Sequence, residues 1–363
     1  MARWPRTTAA LVMLASTVAL WVPYLRGDQL FRYWDGPLYL YMARVLYDVP
    51  AAHPFVVYEL PPMYFASHLP LYPMLIRGLS AVTGGHLPAA MMLATLATSV
   101  LAAVLFYEVL RQWDLVRSPL WTAVLFSFLP PRWLIYHSVG ATEPLFFCCV
   151  FGVFLAYRKE RFGWLALFVG LACLTRITGV LLVPSFGTAL LARRRWAGAA
   201  AVGFSLLGLL GLFAYYRVHF GDFFAFARWN VDRMGMASIQ PFAGLRQAAE
   251  GGNYRVVELY VGTYIVYALG TLALWRHREV FLYAAAFFLF LAFVLAKDTP
   301  RFFLAIAPFS LLVGYDAVLT RPACRWGLPL VAYLAYLAAW TTIPQNLVSR
   351  TVWDDLLRVI AAR

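Results

Sequence analysis

Apolar runs recur along the whole chain, at residues 7–25, 88–110, 119–135, 144–157, 163–175, 177–192, 197–216, 256–275, 280–296, 302–319 and 327–343. Each has the length, or nearly the length, of a helix crossing a hydrocarbon layer of roughly 30 Å. Hydrophobic residues make up 63% of the 363 positions and charged residues 13%. A soluble core cannot bury that proportion of apolar side chains. A membrane β-barrel would need short alternating segments, and these are absent. The reading is an all-α polytopic membrane protein with about 11 transmembrane helices, organised as one membrane domain over residues 1–363.

Charge gives the chain an orientation. Thirty Lys and Arg stand against 17 Asp and Glu, a net charge of +13. Arg3/Arg6, Arg111/Arg117, Arg158/Lys159/Arg161, Arg193/Arg194/Arg195, Arg276/Arg278 and Arg321/Arg325 flank alternate span ends. Positive ends stay inside, which places the N-terminus in the cytoplasm and reads the excess charge as topology and headgroup contact, with no nucleic-acid partner. The first run is long and lacks a small-x-small cleavage site, so it reads as a retained helix. Cys148, Cys149, Cys173 and Cys324 lie in or beside apolar segments without zinc-site spacing, and are expected as buried free thiols.

One stretch of about 30 residues, Gly163 to Ala192, carries basic clusters at both ends. It must therefore enter and return on the same side, with arms of only about 20 Å. Its apex, Thr175-Arg176-Ile177-Thr178-Gly179, is expected inside the membrane profile, beside a cavity in the outer leaflet. Two long loops face outward on this topology, residues 26–87 and 217–255. Pro37–Tyr47 and Leu71–Val82 within the first, and Thr351–Ala362 at the C-terminus, are predicted as helices lying in the interface.

The outward loops hold the polar residues capable of chemistry. Asp35, in Tyr33-Trp34-Asp35-Gly36-Pro37, is an acid at the water–lipid boundary, placed to act as general base. Its structural alternative is a helix cap. Glu143 opens a span in Thr142-Glu143-Pro144. Favourable interaction with the helix dipole accounts for it, and so does binding of sugar hydroxyls. Arg176 is a charge at membrane depth, facing a site or pairing with Glu143. Lys297 and Arg301, in Lys297-Asp298-Thr299-Pro300-Arg301, are cations on the side the topology disfavours; they are placed to hold a phosphate or to anchor headgroups. His68, Tyr72 and Trp34 complete the candidate substrate contacts. No His spacing matches a helical metal motif, so a divalent metal has no support in the sequence. A Gly-rich phosphate loop and a nucleotide-binding βαβ unit are also missing, which argues against nucleotide-sugar or ATP use.

With these residues collected, the chain resembles the GT-C superfamily of membrane glycosyltransferases, and within it the PIG-V-like mannosyltransferase group. The resemblance lies in Trp34-Asp35-Gly36 with Tyr39, Tyr41 and Ala43, in Leu69-Pro70-Leu71-Tyr72-Pro73-Met74-Leu75-Ile76-Arg77, in Thr142-Glu143-Pro144-Leu145-Phe146, in Thr175-Arg176-Ile177-Thr178-Gly179, and in Pro300-Arg301-Phe302-Phe303. It covers most of the first 185 residues and one later loop. It implies an inverting transferase that takes a sugar, typically mannose, from a polyprenyl-phosphate donor, with Asp35 as catalytic base. Many members carry a second acid beside the first; here the neighbours are Trp34 and Gly36.

The functional reading is sugar transfer from a polyprenyl-phosphate-sugar donor to a hydroxyl acceptor (glycolipid, glycan or protein) on the extracytoplasmic face, among membrane lipids. The rival class is a transporter or lipid flippase, whose paired repeats of broken helices are not found here.

Overall fold

The computed structural model describes residues 4–295 and 298–361, and Lys297 lies outside the described residues. Among those residues the chain is helical with no strand; two isolated antiparallel bridges join Tyr33 to Leu347 and Ala237 to Val294. Among the described residues, five helices are long and apolar enough to cross a membrane: Pro5–Tyr24, Leu87–Gln112, Trp196–Phe220, Tyr254–Ala273 and Pro322–Gln345. Phe162–Thr175, Ile177–Ala192 and Thr299–Val313 are shorter apolar helices.

The elements that position the site are α1 (Pro5–Trp21), α2 (Asp35–Val45), α3 (Leu71–Ser80), α4 (Leu87–Gln112), α5 (Pro119–Phe126), α6 (Pro131–Tyr136), α7 (Glu143–Arg158), α8 (Phe162–Thr175), α9 (Leu182–Ala192) and α10 (Arg350–Ala361). α1 and α4 run in opposite senses. Arg6 near the start of α1 pairs with Glu108 near the end of α4 at 2.6 Å, and Arg111 closes on the same carboxylate at 2.9 Å. The middle of the bundle is aromatic. Phe106 of α4 stacks on Phe151 of α7 at 5.1 Å, and Phe154 meets Phe309 at 4.7 Å. Such ring pairs contribute about 0.5–1.5 kcal/mol each beyond their buried area.

The basic clusters collect at one end of the bundle. Arg195 pairs with Glu160 at 2.9 Å, Arg193 with Glu279, and Arg117 with Asp316 at 3.8 Å, while Arg158 lies over the Trp113 ring. The Glu160–Arg195 pair joins the two ends of the α8–α9 hairpin, so that stretch does fold back on itself. Its turn is tight: a Cβ on Gly179 would sit 2.5 Å from the Ala172 carbonyl carbon, a spacing only glycine tolerates.

Three expectations are corrected. The 119–135 run is two helices, α5 and α6, because the adjacent Pro130 and Pro131 remove two backbone donors and stop the helical ladder. The 302–319 run is a succession of short α, 3-10 and π turns, Thr299–Phe302, Phe303–Ile306, Ala307–Val313 and Asp316–Leu319, with Pro308 breaking the bonding pattern. The helix predicted to lie flat at Pro37–Tyr47 is α2, and every residue from Gly36 to Ala43 is buried. It is a packed element, with no face left for lipid. By contrast α3 is amphipathic, burying Tyr72, Pro73 and Ile76 and exposing Met74. α10 occupies the predicted C-terminal position and packs on Phe31 through Trp353 at 6.4 Å. Cys148, Cys149 and Cys173 are buried free thiols; Cys324 is free and half-buried.

Candidate active site

Four charged side chains from distant stretches meet at the end of the bundle remote from the basic clusters. α7 sets that distance: it begins at Glu143 in the site and ends at Arg158 among the basic residues, about 24 Å away.

Asp35 occupies the first turn of α2, where an acid is favoured by the helix dipole. The cap position itself belongs to Trp34, and the Asp35 carboxylate is taken by the Arg301 guanidinium. The backbone leading into Asp35 is held by the C-terminal segment. Trp34 N–H donates to the Asn346 carbonyl and Val348 N–H to the Arg32 carbonyl, each at 3.0 Å. The buried Arg32 guanidinium returns two bonds to the Val348 carbonyl, at 2.6 and 3.2 Å.

Glu143 starts α7 with Pro144 behind it, an ordinary helix opening. One of its oxygens accepts from Arg301 Nε at 2.7 Å and from Arg176 at 2.8 Å. Its side chain is 4% exposed. Arg176 has extended backbone between α8 and the turn that follows, which turns its side chain toward α7; it also donates to Thr142 Oγ1 at 3.0 Å. Arg301 is thus shared between Asp35 and Glu143, with 18% of its side chain exposed against 14% for Asp35. The pairing of Arg176 with Glu143, one of the two sequence-level alternatives, is realised.

A second layer was not read from the sequence. The Arg301 guanidinium lies over the Tyr136 ring, 4.2 Å from its centroid, and Arg132 lies 5.8 Å from the same ring. Arg132 pairs with Asp298, which also accepts from Tyr136 Oη at 3.2 Å. The signal was present: Arg132 is a charge inside what looked like one continuous apolar run, and such a charge marks a site by default. The assumed unbroken helix hid it.

The remaining candidates, Tyr72, His68 and Trp34, make their recorded contacts with other parts of the chain. Tyr72 is fully buried, its hydroxyl 2.7 Å from Thr95 Oγ1 and its ring edge-on to Tyr39. His68 is buried among Tyr39, Tyr64 and Phe65, with Nδ1 3.0 Å from Ser67 Oγ. Burial pushes its pKa down to about 4, with the Asp35 and Arg301 charges acting in opposite directions, so the ring is neutral at physiological pH. Trp34 packs on Tyr58 at 5.4 Å. No group of three His, Cys, Asp or Glu side chains suited to a metal occurs among the described residues.

Chemically the cluster offers a partly accessible carboxylate next to guanidiniums whose forks match phosphate oxygens. Three arginines (Arg132, Arg176, Arg301) face three carboxylates (Asp35, Glu143, Asp298).

No protein-family model matches the sequence, and no curated protein matches it. Solved structures do match the fold. ArnT from Cupriavidus metallidurans bound to undecaprenyl phosphate superposes with a TM-score of 0.55 at 14% identity, over 89% of this chain and 62% of that one. An Archaeoglobus fulgidus oligosaccharyltransferase tethered to an acceptor peptide gives 0.54 at 13% identity, over 99% of this chain and 55% of its own. The same oligosaccharyltransferase with Zn and sulfate gives 0.51 at 16% identity. The chain spans 62% of the length of ArnT and 55% of the peptide-tethered oligosaccharyltransferase. At these identities the likeness shows the fold alone, an all-helical arrangement shared with ArnT and with this oligosaccharyltransferase.

Proposed function

We propose that this protein is an inverting glycosyltransferase that moves a sugar from a polyprenyl-phosphate donor to a hydroxyl acceptor. The observation that carries the reading is the Asp35–Arg301 pair, a carboxylate and a guanidinium held together at the end of the bundle opposite the basic clusters. The shared fold of a protein seen with undecaprenyl phosphate and of an oligosaccharyltransferase supports the donor and reaction class. Mannose is the sugar the PIG-V-like sequence resemblance favours.

In the proposed step the acceptor oxygen attacks C1 of the sugar from the face opposite the phosphate. The C1–O(acceptor) bond forms as the C1–O(phosphate) bond breaks. The acceptor proton passes to Asp35, and the electron pair leaves on the phosphate oxygen. One displacement inverts C1. Negative charge therefore moves from Asp35 to the departing phosphate, and Arg301 stands where it can follow. Glu143, with two guanidinium partners, holds Arg301 and Arg176 in place. Lys297 belongs to the same segment as Arg301 and is proposed to add to the phosphate contact.

The proposed topology has eleven crossings, a cytoplasmic N-terminus and this site on the extracytoplasmic side. The gathering of basic clusters at the opposite end supports it. The test is Asp35→Asn in purified protein given several polyprenyl-phosphate sugars. Transfer is expected to fall by about 10²–10⁴-fold with the melting temperature retained. Undiminished transfer by a folded variant rules Asp35 out.

A further inference from the structure

Two buried polar atoms beside the site have no hydrogen-bond partner among the described residues: the Tyr33 hydroxyl and Arg132 Nε. Tyr33 is 1% exposed, and its ring meets Tyr136 edge-on at 6.0 Å. Arg132 lies against the same Tyr136 ring, half-buried, with its Nη2 engaged by Asp298. Tyr136 is therefore flanked by two guanidiniums, Arg132 and Arg301, and by the ring of Tyr33, whose hydroxyl has no mate. A buried donor left without an acceptor is costly, so two of them on side chains packed against the same ring point to an acceptor that arrives from outside the chain. Both atoms are N–H or O–H donors, and the group that accepts from several donors together with two guanidiniums is an anion with several oxygens.

The geometry points to a phosphate subsite bounded by Arg132, Tyr33 and Arg301 around Tyr136, for which the Asp298 carboxylate is the resident stand-in until the lipid phosphate binds. This rests on the polyprenyl-phosphate reading and names residues that it had not used. Arg132 exchanges partners: it pairs with Asp298 in the resting protein and with phosphate oxygens in the complex. Asp298 competes with the ligand, so removing its charge favours the lipid. The Arg132–Asp298 pair is the more exposed part of the cluster, with 27% and 30% of the side chains accessible. An incoming headgroup therefore meets that pair first and Arg301 second.

A purely structural clamp between Arg132 and Asp298 makes a different prediction, because breaking a clamp from either side has the same sign. The experiment measures undecaprenyl phosphate binding, without turnover, to the full chain in nanodiscs, for wild type, Arg132→Gln, Asp298→Asn and Tyr33→Phe. Melting temperatures are read alongside. Arg132→Gln is expected to weaken binding about tenfold and Asp298→Asn to tighten it severalfold, with Tyr33→Phe weakening it less. Arg132→Lys, which keeps the charge and loses the fork, should fall between. Equal weakening by both partners of the pair, or no change in either, would overturn the subsite. Inorganic phosphate, and discs of phosphatidylglycerol without the prenyl lipid, are the other arms; either one binding with the same variant dependence overturns the prenyl-phosphate assignment. Turnover of Asp35→Asn is scored separately, so a flat result at Arg132 leaves the proposed base standing.

Discussion

Gly36 and Gly140 meet backbone to backbone: a Cβ on Gly140 would lie 3.0 Å from Gly36 Cα, with the Met91 thioether closer still. Each glycine lies near an acid in sequence, Gly36 directly after Asp35 within α2 and Gly140 three residues before Glu143, which opens α7. Their close approach sits beside two carboxylates, 108 residues apart in sequence, that share one arginine. Gly140→Ala is expected to force the two loops apart, because Met91 can yield and the Gly36 backbone cannot. It should lower stability by about 1–3 kcal/mol and cut transfer further than that loss explains. Thermal unfolding and turnover of the same preparation check it, and Gly140→Ala with full activity would dismiss the contact as incidental.

Arg301 neutralises two acids at once. Arg301→Gln leaves Asp35 and Glu143 facing each other in a mostly buried place with only Arg176 for company, so a loss of roughly 3–5 kcal/mol is expected. The companion Arg301→Gln/Glu143→Gln should recover part of it. Denaturation midpoints of the two proteins decide: no recovery would mean that charge is not what the substitution disturbed.

The C-terminal strap predicts an effect far from the strap in sequence. Removal of residues 346–361 takes away the Trp34, Arg32 and Phe31 partners that fix the entry to Asp35. Turnover should fall while the membrane helices keep their circular dichroism. Transfer at the full rate by the shortened chain would show that α2 alone orients the acid.

His68 makes acid stability measurable. Its folded pKa, about 4, lies below the ordinary 6.5 because burial disfavours the charged ring. The unfolded chain therefore takes up the proton first as pH falls. The contribution is whole above pH 6.5 and drains away between 6.5 and 4, by roughly 3 kcal/mol. His68→Gln should flatten the fall in melting temperature across that window, and an unchanged slope would assign it to other groups.

Orientation is open to chemical labelling. Cys148, Cys149 and Cys173 are buried, Cys324 is half-buried near the basic end, and Met74 is exposed on α3. An impermeant maleimide added to intact cells is expected to modify Met74→Cys and to spare Cys324. The reverse pattern would turn the topology over.

Much of the architecture is legible in the amino-acid sequence. Apolar length, the alternating basic clusters and the short arms of residues 163–192 gave helices, ends and hairpin. What misled was continuity: hydropathy does not register that Pro130-Pro131 and Pro308 interrupt hydrogen bonding inside apolar runs. It also marked α2 as a surface helix, since a segment mixing Leu and Tyr looks alike whether one face or all faces are covered.

At the candidate site, residue type and place named Asp35, Glu143, Arg176 and Arg301, because a charge near or in a membrane needs a partner or a task. Which charge pairs with which is a matter of distances between segments more than 100 residues apart, and nothing local encodes them. The two touching glycines, the ring of Tyr136 between two guanidiniums, and the strap from Asn346 to Val348 exist only once the helices are packed. One-dimensional pattern sets how much of the chain enters the bilayer; three-dimensional packing decides which polar groups find each other there.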